Sequence, residues 1–241
     1  MTSRSVNISP LTNARIIGSL YFLIIVLGIV SEVVVRGSLI VPGDATATAS
    51  NILASKGLFR FGFFADSIVF LSDAAVAVLL YVLLSPVDKT VALTAAGFRL
   101  TQTAVLAVNL LNQHAALLVL TGADYVPFDA PQRHALAYFM LDLHGHGYDL
   151  GLLFFGVHCL LLGYLIAKST FLPKPLGWLL IAAGPAYLIG GYVHFLLPAF
   201  LVSIQPIYIV AVVAEVGLCG WLLLRGVDVK RWEAANAALP A

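Results

Sequence analysis

Charge is the scarcest resource in this chain: Asp, Glu, Lys and Arg together make up 10% of its 241 residues. Soluble domains average about 25%. Because 61% of the residues are hydrophobic, a soluble fold of this size has no place to hide the apolar surface, whereas a bilayer solvates it. The formal net charge is +1, so there is no basic face for nucleic acid. There are only two cysteines, Cys159 and Cys219. Both sit inside apolar runs and read as small buried hydrophobes, not as a disulfide framework. Ile16–Val35 is too long for a signal-peptide core and has no small-residue cleavage site after it. The first apolar segment is therefore expected in the mature protein. GxSxG, P-loop and dinucleotide fingerprints are all missing, so those chemistries have no foothold.

What remains is a series of long apolar runs. A helix needs ~20 apolar residues to cross the hydrocarbon. Six segments qualify: Ile16–Val35, Phe61–Leu84, Val91–Leu120, Tyr148–Ile166, Leu176–Leu197 and Ile204–Leu224. The fold class expected is all-α, a polytopic membrane bundle forming one domain over 1–241. Residues 134–147 read as a polar extension leading into the fourth span. The 36–60 link reads as lid-like, with a short surface helix over Ala45–Lys56 that Asp44 caps and Gly57 stops. Residues 121–133, with Asp124, Asp129 and two prolines, read as a loop, and 225–241 as a tail. No internal repeat supports an inverted-repeat transporter.

Flanking Lys and Arg set orientation. With six spans both termini share a side, which carries Arg4, Arg15, Lys89, Lys168, Lys174, Arg225, Lys230 and Arg231; the other side carries Arg36, Lys56, Arg60 and Arg133. This asymmetry puts both termini in the cytoplasm, in a cytoplasmic (inner) membrane, and turns the 36–60 link outward.

Ionisable groups at membrane depth face a bundle interior or a cavity. Counted from the terminal side, Arg99, Glu215 and Asp73 fall in one layer near the midplane, with His158 among the buried groups. The layer reads as an ion pair locking helices together, or as a charge relay or ligand anchor. Arg99, Gln102, Asn109 and Gln113 share one helical face, which is either interhelical hydrogen bonding or a pocket wall. Glu32 and Arg36 read as a local i,i+4 pair.

Polar residues gather again at the outer ends. Asp142, His144, His146 and Asp149 stand among glycines in DLHGHGYDL. Asp66, Gln113 and His114 reach the same depth on spans two and three, and His194 on span five. The expected outcome is one outward-opening pocket lined by Asp66, Gln113 or His114, Asp142, His144, His146 and Asp149. Arg36 and Arg60 would be available to an anionic head group. Asp142, His146 and Asp149, at i, i+4 and i+7, also offer zinc a three-ligand face. His144 points the other way unless Gly145 and Gly147 kink the helix.

Several stretches resemble an uncharacterised family of bacterial multispan membrane proteins, domain of unknown function 4386. They are RGSLIVPGD, TASNILASKGLFR, AAGFRL, LHGHGYDLGLLFFGVHCLLLGYLIAKS, FLPKPLGWLL and AEVGLCGWLLLRGV. The resemblance covers nearly the whole chain and implies the architecture; it implies no activity. Three readings of function stay open. The first is an outer pocket binding a small amphipathic or lipid-like ligand, with membrane lipid as the other partner. The second is a metal-dependent intramembrane hydrolase in which zinc activates water. The third is a small proton-coupled transporter using the Asp73–Arg99–Glu215 layer.

Overall fold

The structure is a computed structural model describing residues 9–122 and 127–238, so Arg4 and Asp124 lie outside the described residues. It contains eight helices that matter here. Six are long and apolar enough to span a membrane: α1 (Pro10–Leu39), α3 (Lys56–Leu84), α4 (Lys89–Leu120), α5 (Ala130–Lys168), α6 (Lys174–Leu196) and α7 (Pro198–Leu224). Two are short: α2 (Ala45–Ala54) in the 36–60 link, and α8 (Val229–Ala237) after the last span. Among the described residues there is no β-strand. The six long helices close into a ring: α1 packs on α3, α3 on α4, α4 on α5, α5 on α6, α6 on α7, and α7 back on α1. Both ends of the described chain lie at the same end of the ring. We call the other end the link end.

The helix starts follow from their caps. Ser9 accepts from the Thr12 amide at 3.1 Å with Pro10 at the first turn, and Asp88 accepts from Val91 at 3.0 Å. Asp129 and Gln132 form a reciprocal capping box at the start of α5. Asp44 caps α2 as the sequence indicates, at 2.8 Å from the Ala47 amide. The stop is different. α2 ends at Ala54, Ser55 leaves the helical region, and Lys56 and Gly57 already belong to α3. Thr48, Ala49 and Ile52 are buried as α2 packs on α5, so one residue suffices to turn the chain. The link is also tied down, since the Gly43 amide donates to the Tyr138 hydroxyl at 2.7 Å.

The fourth span is the largest departure. The expected Tyr148–Ile166 span and its 134–147 extension are one uninterrupted helix of 39 residues. At ~1.5 Å per residue it runs ~58 Å, well beyond the ~30 Å hydrocarbon, and so protrudes. Gly145 and Gly147 do not interrupt it. A Cβ on Gly147 would collide with the Asn109 amide, so this glycine lets α4 and α5 approach closely. The 225–241 tail is partly structured as well. The Trp232 indole on α8 donates to the Leu83 carbonyl at 2.8 Å, tying the tail to the end of α3.

Apolar side chains divide between the two solvents. Tyr21, Leu83, Leu162, Ile166, Leu180 and Leu218 are buried between helices, in the largest core cluster. Phe22, Leu71, Val108, Leu111, Val212 and Leu224 project outward, where only lipid could solvate them.

The tightest crossing lies between α5 and α6. A Cβ on Gly163 would stand 2.6 Å from the Gly177 carbonyl oxygen and 2.7 Å from the Ile181 amide nitrogen, both backbone atoms. Gly163→Ala should therefore cost ~1–3 kcal/mol through overpacking. Gly220→Ala, which meets nothing within 4 Å, should be neutral or slightly stabilising. Thermal unfolding of the two variants checks this; equal midpoints would mean that the crossing is not close.

Candidate functional site

Arg99 on α4 is 1% exposed at the centre of the ring. Its Nε and Nη2 donate to Asp73 Oδ1 on α3 at 3.0 and 2.5 Å. Its Nη1 donates to the Tyr21 hydroxyl on α1 at 2.5 Å and lies 3.1 Å from His158 Nε2 on α5. The Thr103 hydroxyl donates to the second Asp73 oxygen at 2.5 Å. His158 Nδ1 lies 2.9 Å from the Ala95 carbonyl, which can only accept. Nδ1 therefore carries the proton and Nε2 accepts from Arg99, so the imidazole is neutral. The rings of Tyr21 and Phe155 sit 4.7 and 5.2 Å from the guanidinium carbon.

The expected three-way charge layer is therefore split. Arg99 pairs with Asp73, whereas Glu215 on α7 accepts from the Tyr187 hydroxyl on α6. Phe155 stands between the two groups, packed edge-on against Tyr187 with centroids 5.1 Å apart. Tyr21 and His158 occupy the edge of the guanidinium that a second carboxylate would need.

At the link end, a cavity of about 520 Å³ opens between α1, α3 and α5. Arg36 Nη1 donates to Asp66 Oδ2 at 2.6 Å, and its Nε to Glu32 Oε2 at 2.7 Å. The Glu32–Arg36 pair is thus more than local, since it extends across to α3. Residues Val30–Arg36 form a π-helical stretch, a geometry often found at functional sites. His144, Tyr148 and Asp149 complete the polar lining; Ile40, Val69, Phe70 and Leu141 are the apolar part. His144 Nδ1 lies 3.1 Å from the Asn109 carbonyl, and Asn109 Nδ2 donates to the His144 carbonyl at 2.7 Å. This reciprocal pair pins α4 to α5, and His144 must donate from Nδ1.

The single expected pocket is not assembled. Asp142 is exposed, and His146 Nδ1 bonds the Asp142 backbone carbonyl at 3.0 Å. The His146 ring packs on His194, with centroids 4.2 Å apart. His194 Nδ1 pairs with Asp149, which also lines the cavity. Arg60, Gln113 and His114 line a different, smaller cavity of about 240 Å³. Gly62 packs against Val35 and Gln113, which closes the way between the two. The zinc set is not brought together either. Because α5 is unbroken, His144 stays on the opposite side from His146, and Asp149 is turned to His194. Among the described residues no three His, Cys, Asp or Glu side chains converge as a metal would require.

Some residues of these sites were not singled out from the sequence. Thr103 follows Arg99 by one helical turn, a signal that could have found it. Tyr21 and Tyr187 are aromatics in apolar runs, and nothing local marks them.

With that geometry in hand, comparison with known proteins adds the lineage. The model of one family, described as "Domain of unknown function (DUF4386)", matches residues 16–226. The chain belongs to that family. The match runs from the first span to the end of the last, so it includes both cavities and the Arg99 cluster. A relative from Archaeoglobus fulgidus, described as an uncharacterized protein, is 30% identical over 159 residues, covering 66% of this chain and 80% of that protein. No solved structure matches this chain.

Removing Arg99 would strand Asp73 in the bundle interior. Breaking a buried pair from one side costs ~3–5 kcal/mol. Arg99→Ala should therefore sharply reduce the yield of monodisperse protein, while exposed Lys89→Ala should not. Glu215→Gln should be milder than either Arg99→Ala or Asp73→Ala, because an amide oxygen still accepts from Tyr187. Size-exclusion profiles of the variants, expressed in parallel, give the ranking; an Arg99→Ala profile like wild type would refute it.

Proposed function

We propose that this integral membrane protein binds a small amphipathic or lipid-like molecule in the link-end cavity. The observation that supports the reading best is the cavity itself. Its volume of about 520 Å³ falls within the ~300–1,000 Å³ range of small-molecule sites. Its lining is divided as an amphiphile requires. Ile40, Val69, Phe70 and Leu141 suit a hydrocarbon part, and Glu32, Arg36, Asp66, His144 and Asp149 suit a head group. The link contributes Gly37, Ile40 and Pro42 to the wall. In our reading both termini are cytoplasmic, so the cavity opens on the outer side.

The charges choose the head group. The sequence offers Arg36 and Arg60 to an anion. Here Arg36 is already engaged by Glu32 and Asp66, and Arg60 belongs to the other cavity. Two carboxylates, Glu32 and Asp66, share the Arg36 guanidinium, and Asp149 is paired with His194, so carboxylate oxygens outnumber the guanidinium's engaged donors and acceptor capacity is left over. A cationic or hydrogen-bond-donating head group fits that balance. The donor geometry speaks against the zinc-hydrolase alternative, and Glu215 stands apart from the ion pair that a proton-coupled site would use.

Decylamine and decanoate are suitable opposing probes. Decylamine should raise the unfolding midpoint of the purified protein. Asp66→Asn should weaken that effect at least about tenfold, or ~1.4 kcal/mol, and Tyr148→Phe should leave the protein folded with reduced affinity. Stabilisation by decanoate alone, abolished in Arg36→Leu, would reverse the head-group assignment. Orientation has its own check: reporter fusions after Leu84 and after Ile166 should both report cytoplasm, and a periplasmic signal at either would overturn it.

A further inference from the structure

At the terminal end of the ring a cleft of about 430 Å³ lies between the α5–α6 connection, the end of α7 and the start of α8. Its walls are tied to each other. The Asp228 amide donates to the Phe171 carbonyl at 3.2 Å, and Arg231 Nη1 donates to the Thr170 carbonyl at 3.1 Å. Gly226, in the left-handed region at φ +71°, turns the chain sharply between α7 and α8. A Cβ there would stand 2.5 Å from Leu11 of α1, so the turn is seated against the bundle. The cleft is therefore a built feature of the fold.

Its charge is unbalanced. Arg225 and Arg231 line it, and Asp228 is the one carboxylate in the lining. Asp228 is already engaged: Oδ1 accepts from the Arg231 amide at 3.1 Å, which caps α8, and Oδ2 pairs with Arg231 Nε at 3.3 Å. Those contacts leave Arg231 Nη2 without a partner among the described residues. The Arg225 guanidinium belongs to no ion pair among the described residues. Both arginines are exposed, so a ligand can reach them.

Position indicates what neutralises them. Arg225 follows directly on Leu224, the last residue of the α7 span, which projects outward. Trp221, one turn inside, lines the cleft and is partly exposed, as is Trp178 near the start of α6. Indoles at span ends mark the level of the lipid head groups. Lys168 and Lys174, both exposed, bracket the α5–α6 connection with further positive charge.

We propose that this cleft is a second binding site, separate from the link-end cavity, for the phosphate of an anionic phospholipid. The two guanidiniums offer N–H pairs in the fork geometry that matches a phosphodiester. A zwitterionic head group brings a cation along with its phosphate, and the same arginines repel it. Trp221 and Leu224 lead from the cleft toward the hydrocarbon, on the side where the acyl chains run. In our reading this end is cytoplasmic, and the cytoplasmic leaflet is where anionic lipids gather.

Tryptophan quenching by brominated lipids, with the full chain in phosphatidylcholine bilayers, tests this. Phosphatidylglycerol with brominated acyl chains should bind wild type at least about tenfold more tightly than brominated phosphatidylcholine, as charge-assisted contacts imply. Arg225→Gln changes an exposed, unpaired side chain, so it should fold as wild type does, and it should lose most of that preference. Lys89→Gln, the same charge change at the same end of the ring, should keep it. Asp66→Asn should keep it as well, so this site stands or falls apart from the proposed amine site. Excess glycerol 3-phosphate should leave the quenching in place; relief of quenching would make a soluble phosphate the occupant and overturn the lipid assignment. Equal quenching of wild type by the two lipids, or equal losses in Arg225→Gln and Lys89→Gln, would overturn the site itself.

Discussion

A guanidinium at the centre of a membrane bundle must be neutralised and given acceptors before the helices can close around it. Arg99 sets that condition, and the ring meets it helix by helix. α3 supplies Asp73, α1 supplies Tyr21, and α5 supplies both His158 and the face of Phe155. Hydrophobic burial alone gives little preference for one helix arrangement in lipid, because lipid tails are as apolar as leucine. A hub that needs groups from three other helices at once favours one arrangement. Phe155 carries the contact on to Tyr187 of α6, and Tyr187 to Glu215 of α7. One side chain from each of the six spans thus meets near the ring centre.

Around that hub, small residues decide how closely the helices approach. Gly147 gives room to Asn109, and the Asn109–His144 exchange then holds α4 against α5 where His144 lines the cavity. Gly163 and Gly177 bring the α5 and α6 backbones together near the terminal end. Both cavities lie in the link half, where α1 ends in a π-helical stretch. The Arg36 bridge to Asp66 spans the gap between α1 and α3 with charge in place of packing.

The two cavities differ in how they balance polar groups. In the link-end cavity Arg36, Glu32 and Asp66 partner one another, leaving acceptor capacity over. Beside the smaller groove the buried Gln113 amide has no hydrogen-bond partner among the described residues. A balanced cluster facing a roomy cavity suits a solute whose head group exchanges with water.

Composition and periodicity determined that this is a membrane protein of six spans, because charge scarcity and ~20-residue apolar runs admit few other solutions. They also determined that Arg99 would need a carboxylate, since an unpaired charge at that depth is too costly. The Asp44 cap was legible too, because capping is local. Helix ends were less so. The apolar run shows where lipid stops, whereas Asp129 and its capping box show where α5 starts, many residues earlier. Which carboxylate Arg99 takes was decided only in three dimensions: Asp73 and Glu215 lie at similar depth, and depth says nothing of the angle around the ring. The same gap produced one expected pocket where there are two. Asp66 and Gln113 share a level, but Gly62 lets α3 and α4 close between them, and rotation about a helix axis is set by its neighbours.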